Sequence, residues 1–162
     1  MRSVGAAVVG TGFIGPVHAE ALRRLGHRVV GVLGSTPDKS RQAADRVGAD
    51  KGFATFDELL ADPAVEVVHL ASPNRLHFDQ CRRAIAAGKH VVCEKPLAMT
   101  SAETAELVRL AEASPVVTAV NYNVRFYPLM LDARERVRGG EVGGVLHVTG
   151  SYLQDWLLYD TD

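Results

Sequence analysis

An acidic and a basic side chain stand together at the end of an apolar run. In VVCEKP, residues 91–96, the run reaches Glu94 and Lys95 before Pro96 stops it. A carboxylate and an ammonium at a partly desolvated strand end cost free energy unless a ligand or a polar network uses them. The pair therefore indicates a functional site at this strand end, and a cis bond before Pro96 would turn both side chains towards it.

Three glycines follow the first apolar run at the spacing of a phosphate-binding turn, in VVGTGFIG at 8–15. In GxGxxG the first glycine allows a tight turn, the second lets a pyrophosphate approach the backbone, and the third lets helix and strand pack closely. The helix start adds unpaired N–H groups and a positive dipole end. The motif predicts a dinucleotide site, although a purely structural turn stays open. Its residues are Gly10, Thr11, Gly12, Phe13, Ile14 and Gly15.

The end of the second strand indicates which dinucleotide is bound. An NAD-selective site usually has Asp or Glu there, about 20 residues past the glycines, to hold the ribose 2′-hydroxyl. Here Gly34, Ser35 and Thr36 occupy that corner, and the nearest acid, Asp38, comes later. Ser35, Thr36 and Lys39 can instead donate hydrogen bonds and charge to a 2′-phosphate. We therefore favour NADP(H) over NAD(H), although a turn followed by an N-capped helix is compatible with either.

A third polar strand end is ASPNRLH, residues 71–77. Ligands of open parallel sheets bind beyond the carboxyl ends of the strands, so this loop could meet the ribose or nicotinamide side of a cofactor. Taken singly, each polar residue here is more often a turn residue or a helix cap, and that alternative stays open. The cofactor-binding candidates of the loop are Ala71, Ser72, Pro73, Asn74 and His77.

Short apolar runs alternate with stretches of helical period through residue 120. This alternation predicts an α/β fold with a doubly wound parallel sheet and helices on both faces, which brings the polar strand ends to one edge. Ser101 is the expected N-cap of the last helix, without the Glu of a full capping box. The predicted strands are 6–10, 28–34, 65–72, 90–95 and 116–120, and the predicted helices are 15–25, 38–47, 56–61, 78–87 and 101–113.

The pattern changes after residue 120. A polar and aromatic stretch is followed by a predicted helix over 129–138 and by an alternating stretch that predicts a strand over 145–156. We predict a dinucleotide-binding domain over 1–120 and the truncated start of a second α/β domain over 121–162.

Composition and charge favour a small-molecule partner. Of the 162 residues, 47% are apolar and 23% charged, as in a globular protein with a core. The net charge of -1 and the scattered Lys and Arg do not favour nucleic acid or an anionic membrane. Signal-peptide order and bilayer-length apolar runs are missing, and Cys81 and Cys93 lack metal-type spacing. We expect reduced thiols, no metal site and a cytoplasmic protein.

These stretches together resemble a known family. The glycine turn, ASPNRLHFDQC, EKPLAMT, VNYNVRFYP and GSYLQDWLLYDTD look, in order and spacing, like the glucose-fructose oxidoreductase/inositol dehydrogenase/MocA (Gfo/Idh/MocA) family of NAD(P)-dependent oxidoreductases. The resemblance implies a Rossmann domain followed by an α/β domain that carries the substrate face and forms homo-oligomer contacts. It implies hydride transfer between nicotinamide and a hydroxyl-bearing carbon of a sugar, polyol or inositol-like substrate.

The resemblance also assigns residues. Lys95 matches a lysine that binds substrate and cofactor and assists proton transfer, which requires either a lowered pKa or donation to a developing oxygen charge. Glu94 matches a glutamate near the nicotinamide ribose, and Asn121 an asparagine near the cofactor. The residues that match positions facing the substrate cleft are Arg125, Tyr152 and Trp156.

Two other functions, a dinucleotide sensor and a short-chain dehydrogenase, are alternatives to this one. The family includes a repressor branch that binds dinucleotide without turnover, so a sensor or transcriptional regulator is the alternative, although Lys95 favours an enzyme. A short-chain dehydrogenase is disfavoured because Tyr-x-x-x-Lys is missing. The family's further catalytic Asp and His follow YLQDW, and the sequence ends at Asp162. We expect the full-length parent to be the enzyme and the chain alone to bind cofactor without catalysis.

Overall fold

The computed structural model describes residues 2–153 of the chain. These residues fall into two compact units, which divide after Tyr122. The first unit contains the predicted nucleotide-binding region, and the assignment of the second to a substrate domain stays a prediction. No helix within the described residues is long and apolar enough to cross a membrane.

The first unit is built on a parallel sheet, which confirms the predicted fold class. Among the described residues the sheet has six strands in the order β3-β2-β1-β4-β5-β6, and every neighbouring pair is parallel. Strand β3 was not predicted, because three residues are too few to show a period. The strands are β1 (Gly5–Val9), β2 (Arg28–Leu33), β3 (Lys51–Phe53), β4 (Val67–Leu70), β5 (His90–Glu94) and β6 (Thr118–Asn121).

Helices cover the sheet from both sides because successive strand residues point to opposite faces. Ala6 and Val8 of β1 pack against α1, whereas Ala7 and Val9 belong to the larger core that α3, α4 and α5 cover. Helix α2 packs on β2 through Ala43 and Ala44. The helices are α1 (Ile14–Arg24), α2 (Pro37–Val47), α3 (Phe56–Ala61), α4 (His77–Ala86) and α5 (Ser101–Glu112).

Helix α5 begins at Ser101 as predicted, but its N-cap is one residue earlier than we expected. Thr100, with extended backbone angles, is the N-cap, and its hydroxyl accepts a hydrogen bond from the main-chain N of Glu103 at 3.2 Å. The Glu103 carboxylate accepts the main-chain N–H of Thr100 at 3.1 Å, which completes a capping box. The assignment of Ser101 as cap was wrong because the glutamate lies three residues after Thr100, where the box requires it.

The second unit contains a 3-10 turn, Asn123–Phe126, and the helix α6, Pro128–Arg138, which confirms the predicted helix. The predicted strand over 145–156 is not found in its described part, since residues 145–153 have no regular structure. A strand needs a neighbouring strand for its main-chain hydrogen bonds, and none of the described residues pairs with this segment.

Candidate functional site

The carboxyl ends of β1, β2 and β4 border one cleft of about 550 Å³. The sheet order places β2 on one side of β1 and β4 on the other, so the chain reverses its direction of winding at this point, where α/β proteins bind ligands. Three loops that were predicted separately therefore meet in the cleft. The predicted residues that line it are Gly10, Thr11, Gly12, Phe13, Ile14, Gly34, Ser35, Ala71, Ser72 and Pro73.

The glycine turn has the geometry that a dinucleotide requires. Gly10 has φ +114°, and a Cβ there would lie 2.2 Å from the carbonyl oxygen of Ala71. A Cβ on Gly15 would lie 2.2 Å from the carbonyl oxygen of Gly10, so this glycine lets α1 pack against the turn. A Cβ on Gly12 would meet no atom within 4 Å, and no side chain caps α1. The space beside Gly12 and the uncapped N–H groups fit a pyrophosphate.

The corner after β2 caps helix α2 and also lines the cleft. The hydroxyl of Thr36 caps α2 by accepting the N–H of Lys39 at 3.2 Å, and its own O–H remains a donor. Ser40, which the sequence reading missed, is fully buried, accepts the N–H of Gly34 at 2.8 Å and donates to the Thr36 carbonyl at 3.1 Å. These bonds fix the corner that exposes Ser35 to the cleft.

The acidic residue nearest in sequence to this corner has a basic partner. Asp38, the nearest acid in sequence, is paired with Arg41. No Asp or Glu lines the described cleft. Lys39 lies outside that lining and borders a neighbouring recess of about 220 Å³ together with Thr11, Gln42 and Arg46. Among residues 2–153, the lining of the cleft lacks the carboxylate that an NAD-selective site usually has at this corner.

The loop after β4 departs from the prediction at His77. This side chain is fully buried, with Nδ1 2.7 Å from the carbonyl oxygen of Pro96 and Nε2 2.9 Å from that of Ser72. With both ring nitrogens against main-chain oxygens, His77 has no atom left for the cofactor contact that we expected, and instead joins two loops. Asn74 begins an exposed 3-10 turn and does not line the cleft.

Three further residues of the cleft, two within this loop and one on α4, were not predicted. Arg75, Leu76 and Gln80 line the cleft beside Ser72. The Ser72 hydroxyl donates to the Gln80 side-chain oxygen at 2.5 Å, which fixes the loop to α4. Their sequence offers no recognisable signal, since Arg75 and Leu76 are ordinary turn residues and Gln80 is an ordinary polar helix residue.

Glu94 is held by residues from two other elements. Its Oε1 accepts a hydrogen bond from Asn121 Nδ2 at 2.5 Å and lies 3.0 Å from Nε2 of His18, while Oε2 accepts the main-chain N–H of Lys95 at 3.3 Å. Burial alone would raise the pKa of Glu94, but the hydrogen bonds from Asn121, His18 and Lys95 outweigh it and lower the pKa below its ordinary value. Glu94 is therefore an oriented, ionised carboxylate.

His18, which contacts Glu94, also contacts a second histidine, His69. Nδ1 of His18 lies 2.9 Å from Nδ1 of His69, and the two rings meet edge to face with centroids 5.1 Å apart. Burial, together with the charges of His18 and His27, lowers the pKa of His69 to about 4, so its ring is neutral at pH 7. Neither histidine was predicted. The available signal was a polar residue at a buried position of α1 and within the apolar strand β4.

Lys95 is exposed at the end of β5 and is joined to Pro96 by a cis peptide bond, as expected. Its ammonium has no hydrogen bond or ion pair with any residue from 2 to 153, so it is free to meet a ligand. The predicted substrate residues Arg125 and Tyr152 are exposed in the second unit, and Trp156 lies outside the described residues. The roles of these three stay predictions.

The two cysteines are free and buried, as expected. Contact with Cys81, together with burial, raises the pKa of the Cys93 thiol, which disfavours its thiolate form. Within the part of the chain that the structure describes, no group of three His, Cys, Asp or Glu side chains could hold a metal ion.

Known proteins resemble this chain in sequence. A family model described as an oxidoreductase family with an NAD-binding Rossmann fold matches residues 4–122. Levoglucosan dehydrogenase of Pseudarthrobacter phenanthrenivorans is 31% identical over 166 residues, which cover 96% of this chain and 42% of that enzyme. The NADP(+)-dependent D-xylose 1-dehydrogenase of Hypocrea jecorina is 34% identical over 123 residues, covering 74% of this chain and 32% of that enzyme.

A solved structure has the same fold. Levoglucosan dehydrogenase in complex with NADH and levoglucosan matches with a TM-score of 0.85 and 27% identity, covering 88% of this chain and 41% of that one. The chain thus spans less than half the length of these relatives. Because the family match extends from β1 through β6, and so includes the glycine turn, Glu94 and Lys95, the chain belongs to the Gfo/Idh/MocA family of oxidoreductases with an NAD-binding Rossmann fold.

Proposed function

We propose that this chain is the cofactor-binding part of an NAD(P)-dependent dehydrogenase or reductase that acts on a hydroxyl-bearing carbon of a sugar, polyol or inositol-like substrate. The observation that carries the proposal is the Lys95 ammonium, which has no partner among residues 2–153, next in sequence to the oriented carboxylate of Glu94. Glu94 is the last residue of β5 and Lys95 follows it, and the neighbouring strand β4 ends at the glycine-turn cleft. Relatives named as dehydrogenases of levoglucosan and D-xylose support a sugar-like substrate.

The glycine turn, Glu94 and Lys95 each have a separate role in the proposed reaction. The nicotinamide, when bound, supplies the hydride acceptor or donor. The uncapped start of α1 and the open space beside Gly12 hold the pyrophosphate. Glu94 accepts hydrogen bonds from ribose hydroxyls, and the Lys95 ammonium donates to the substrate oxygen or exchanges its proton.

The preferred cofactor in this proposal is NADP(H), with NAD(H) as a usable second. Asp38 forms an ion pair with Arg41. Among the described residues, no Asp or Glu lines the cleft. Ser35, Thr36 and Lys39 supply donors near the position of a 2′-phosphate. Lys39 and Arg46 add positive charge to the adjoining recess.

The substrate side belongs to the second domain in this proposal. Arg125, Tyr152 and Trp156 contact the substrate, and the same domain forms a homo-oligomer in the full-length protein. The support is the family resemblance of these positions, since the relatives are more than twice as long as this chain.

Two measurements test the function. Titration of the chain with NADPH and NADH, followed by dihydronicotinamide fluorescence, should saturate with at least one of them; no saturable binding to either would refute the cofactor assignment. In the full-length protein, Lys95→Met should reduce turnover at least a hundredfold and leave the Kd for NADPH within about threefold, because removing one transition-state donor costs that much in comparable sites. Lys51→Met, which alters an exposed lysine paired with Asp62, is the matched control.

A turnover assay on the full-length protein distinguishes an enzyme from a dinucleotide sensor. An enzyme should oxidise or reduce at least one member of a panel of polyols, aldoses and inositols. Saturable NADPH binding with no turnover of the whole panel would favour a sensor.

A further inference from the structure

Three titratable side chains from three elements form a row under the carboxyl end of β5. His18 of α1 lies between His69 of β4 and Glu94 of β5, with contacts of 2.9 Å and 3.0 Å. His18 is 7% exposed, and the Glu94 side chain is 12% exposed. The proposed function above gives a role to Glu94 and none to either histidine.

The contacts fix how many protons the row can hold. An ionised carboxylate only accepts hydrogen bonds, so Nε2 of His18 must carry a proton. The contact between the two Nδ1 atoms also needs one proton, which belongs either to His18 or to His69. If His18 carries it, His18 is an imidazolium and His69 is neutral with its proton on Nε2. If His69 carries it, both rings are neutral and the proton of His69 is on Nδ1.

Charge decides between the two arrangements. Glu94 is largely buried, and its other partners, the Asn121 amide and the Lys95 main-chain N–H, are neutral. Among residues 2–153, His18 is the side chain in contact with Glu94 that can supply a positive charge. A buried carboxylate without a cation is costly, and the neutral ring of His69 offers Nδ1 as an acceptor. The cost of the unpaired carboxylate favours an imidazolium at His18, whereas His69 is neutral in either arrangement.

We propose that His18 is a positioning residue that, as an imidazolium, orients the ionised Glu94 for the nicotinamide ribose, with His69 as the acceptor that fixes its ring. This inference rests on the proposed function for the ribose, and on the contacts, burial and charge of the three side chains for the proton positions. Oε1 of Glu94 already accepts two hydrogen bonds, whereas Oε2 accepts one at 3.3 Å. Oε2 therefore keeps capacity for a ribose hydroxyl.

The proton positions are tested on the chain itself by ¹⁵N NMR. With ¹⁵N-labelled histidine, long-range ¹H–¹⁵N spectra distinguish the two neutral tautomers from the imidazolium. Six histidines must be assigned, which single substitutions accomplish. At pH 7 we expect His18 with both nitrogens protonated and His69 with the proton on Nε2. A neutral His18 with the His69 proton on Nδ1 would overturn the charge assignment.

The positioning role is tested with two probes, of which only one contains the nicotinamide ribose. One is the reduced dinucleotide that the chain prefers, and the other is its adenosine half alone, either adenosine 2′,5′-bisphosphate or AMP. His18→Leu should weaken the dinucleotide roughly ten- to a hundredfold, the effect of losing a charge-assisted hydrogen bond, and leave the adenosine half within about twofold. His18→Gln, which keeps a donor without charge, should fall between His18→Leu and the unsubstituted chain.

The outcomes separate the two proposals. Equal weakening of both probes would mean that His18 has only a structural role, and no weakening would mean that Glu94 does not depend on it; either result overturns the inference. His147→Leu, at an exposed position, is the control. If the unsubstituted chain binds neither probe, the proposed function fails together with the ribose role of Glu94, and the NMR result still decides the charge of His18.

Discussion

Nδ1 of His77 lies 2.7 Å from the carbonyl oxygen of Pro96, so the first residue of α4 is tied to the loop that directly follows Lys95. The other ring nitrogen lies 2.9 Å from the carbonyl oxygen of Ser72, at the cofactor cleft. One buried ring therefore joins the loop of the proposed catalytic lysine to the loop of the proposed cofactor site.

His77→Phe should destabilise the first unit by about 1–3 kcal/mol, because the two ring nitrogens would lose their contacts with the carbonyl oxygens of Pro96 and Ser72 while the volume of the ring is kept. The free energy of unfolding in urea measures this. His147→Phe, at an exposed position, should change it by less than about 0.5 kcal/mol. A loss below about 1 kcal/mol for His77→Phe would show that the contacts contribute little.

Stability should fall on acidification because of His69. Its pKa is lowered to about 4 in the folded chain by burial and by the charges of His18 and His27, against an ordinary value of 6.5. Between these two values the unfolded chain binds a proton that the folded chain does not, so the free energy of unfolding decreases as pH falls through this window and levels off below it. The contribution is at most about 3 kcal/mol.

A substitution isolates this contribution. His69→Gln keeps a hydrogen-bond acceptor but does not titrate, so unfolding in urea at several values between pH 7 and pH 4 should show a flatter pH dependence than the unsubstituted chain. Glu94 also loses stabilisation on acidification because its folded pKa is lowered, and this part should remain in the variant. Identical slopes for the two chains would contradict the assignment to His69.

The sequence predicted what depends on local pattern. The alternation of apolar runs and helical stretches is enough for a parallel sheet, and GxGxxG after the first strand is enough for the cleft, because both follow from residues close together in the chain. The capping box at Thr100 also has a local signal, which a register error of one residue obscured.

The parts that were missed depend on long-range contacts. His18 and Glu94 are 76 residues apart, and His18 and His69 are 51 apart, so no spacing rule links them. His77 reads as a polar residue at a strand end, and only packing shows that it is inside. Strand β3 follows from pairing with β2, which the sequence of three residues does not reveal.

The glycine turn offers a test that separates folding from binding. Gly12→Ala should fold with a free energy of unfolding within about 1 kcal/mol of the original, since its Cβ meets no atom within 4 Å. The new methyl group occupies the space proposed for the pyrophosphate, so the Kd for NADPH should rise at least tenfold. Gly15→Ala is the contrast, because its Cβ would lie 2.2 Å from the Gly10 carbonyl oxygen and should cost about 2 kcal/mol or more. Normal NADPH binding by Gly12→Ala would place the pyrophosphate elsewhere.

The cofactor preference can be inverted at Ser35, which lines the cleft at the end of β2. Ser35→Asp supplies a carboxylate to the corner, where it should repel a 2′-phosphate and accept hydrogen bonds from a 2′-hydroxyl. We expect the Kd for NADPH to rise at least tenfold and the Kd for NADH to stay the same or fall, measured by fluorescence titration at fixed ionic strength. Ser35→Asn is the uncharged control. It should change the ratio of the Kd for NADPH to the Kd for NADH by less than about threefold, because it adds no charge that would repel the 2′-phosphate. Equal changes in both Kd values for Ser35→Asp would mean that the 2′-phosphate is not recognised at this corner.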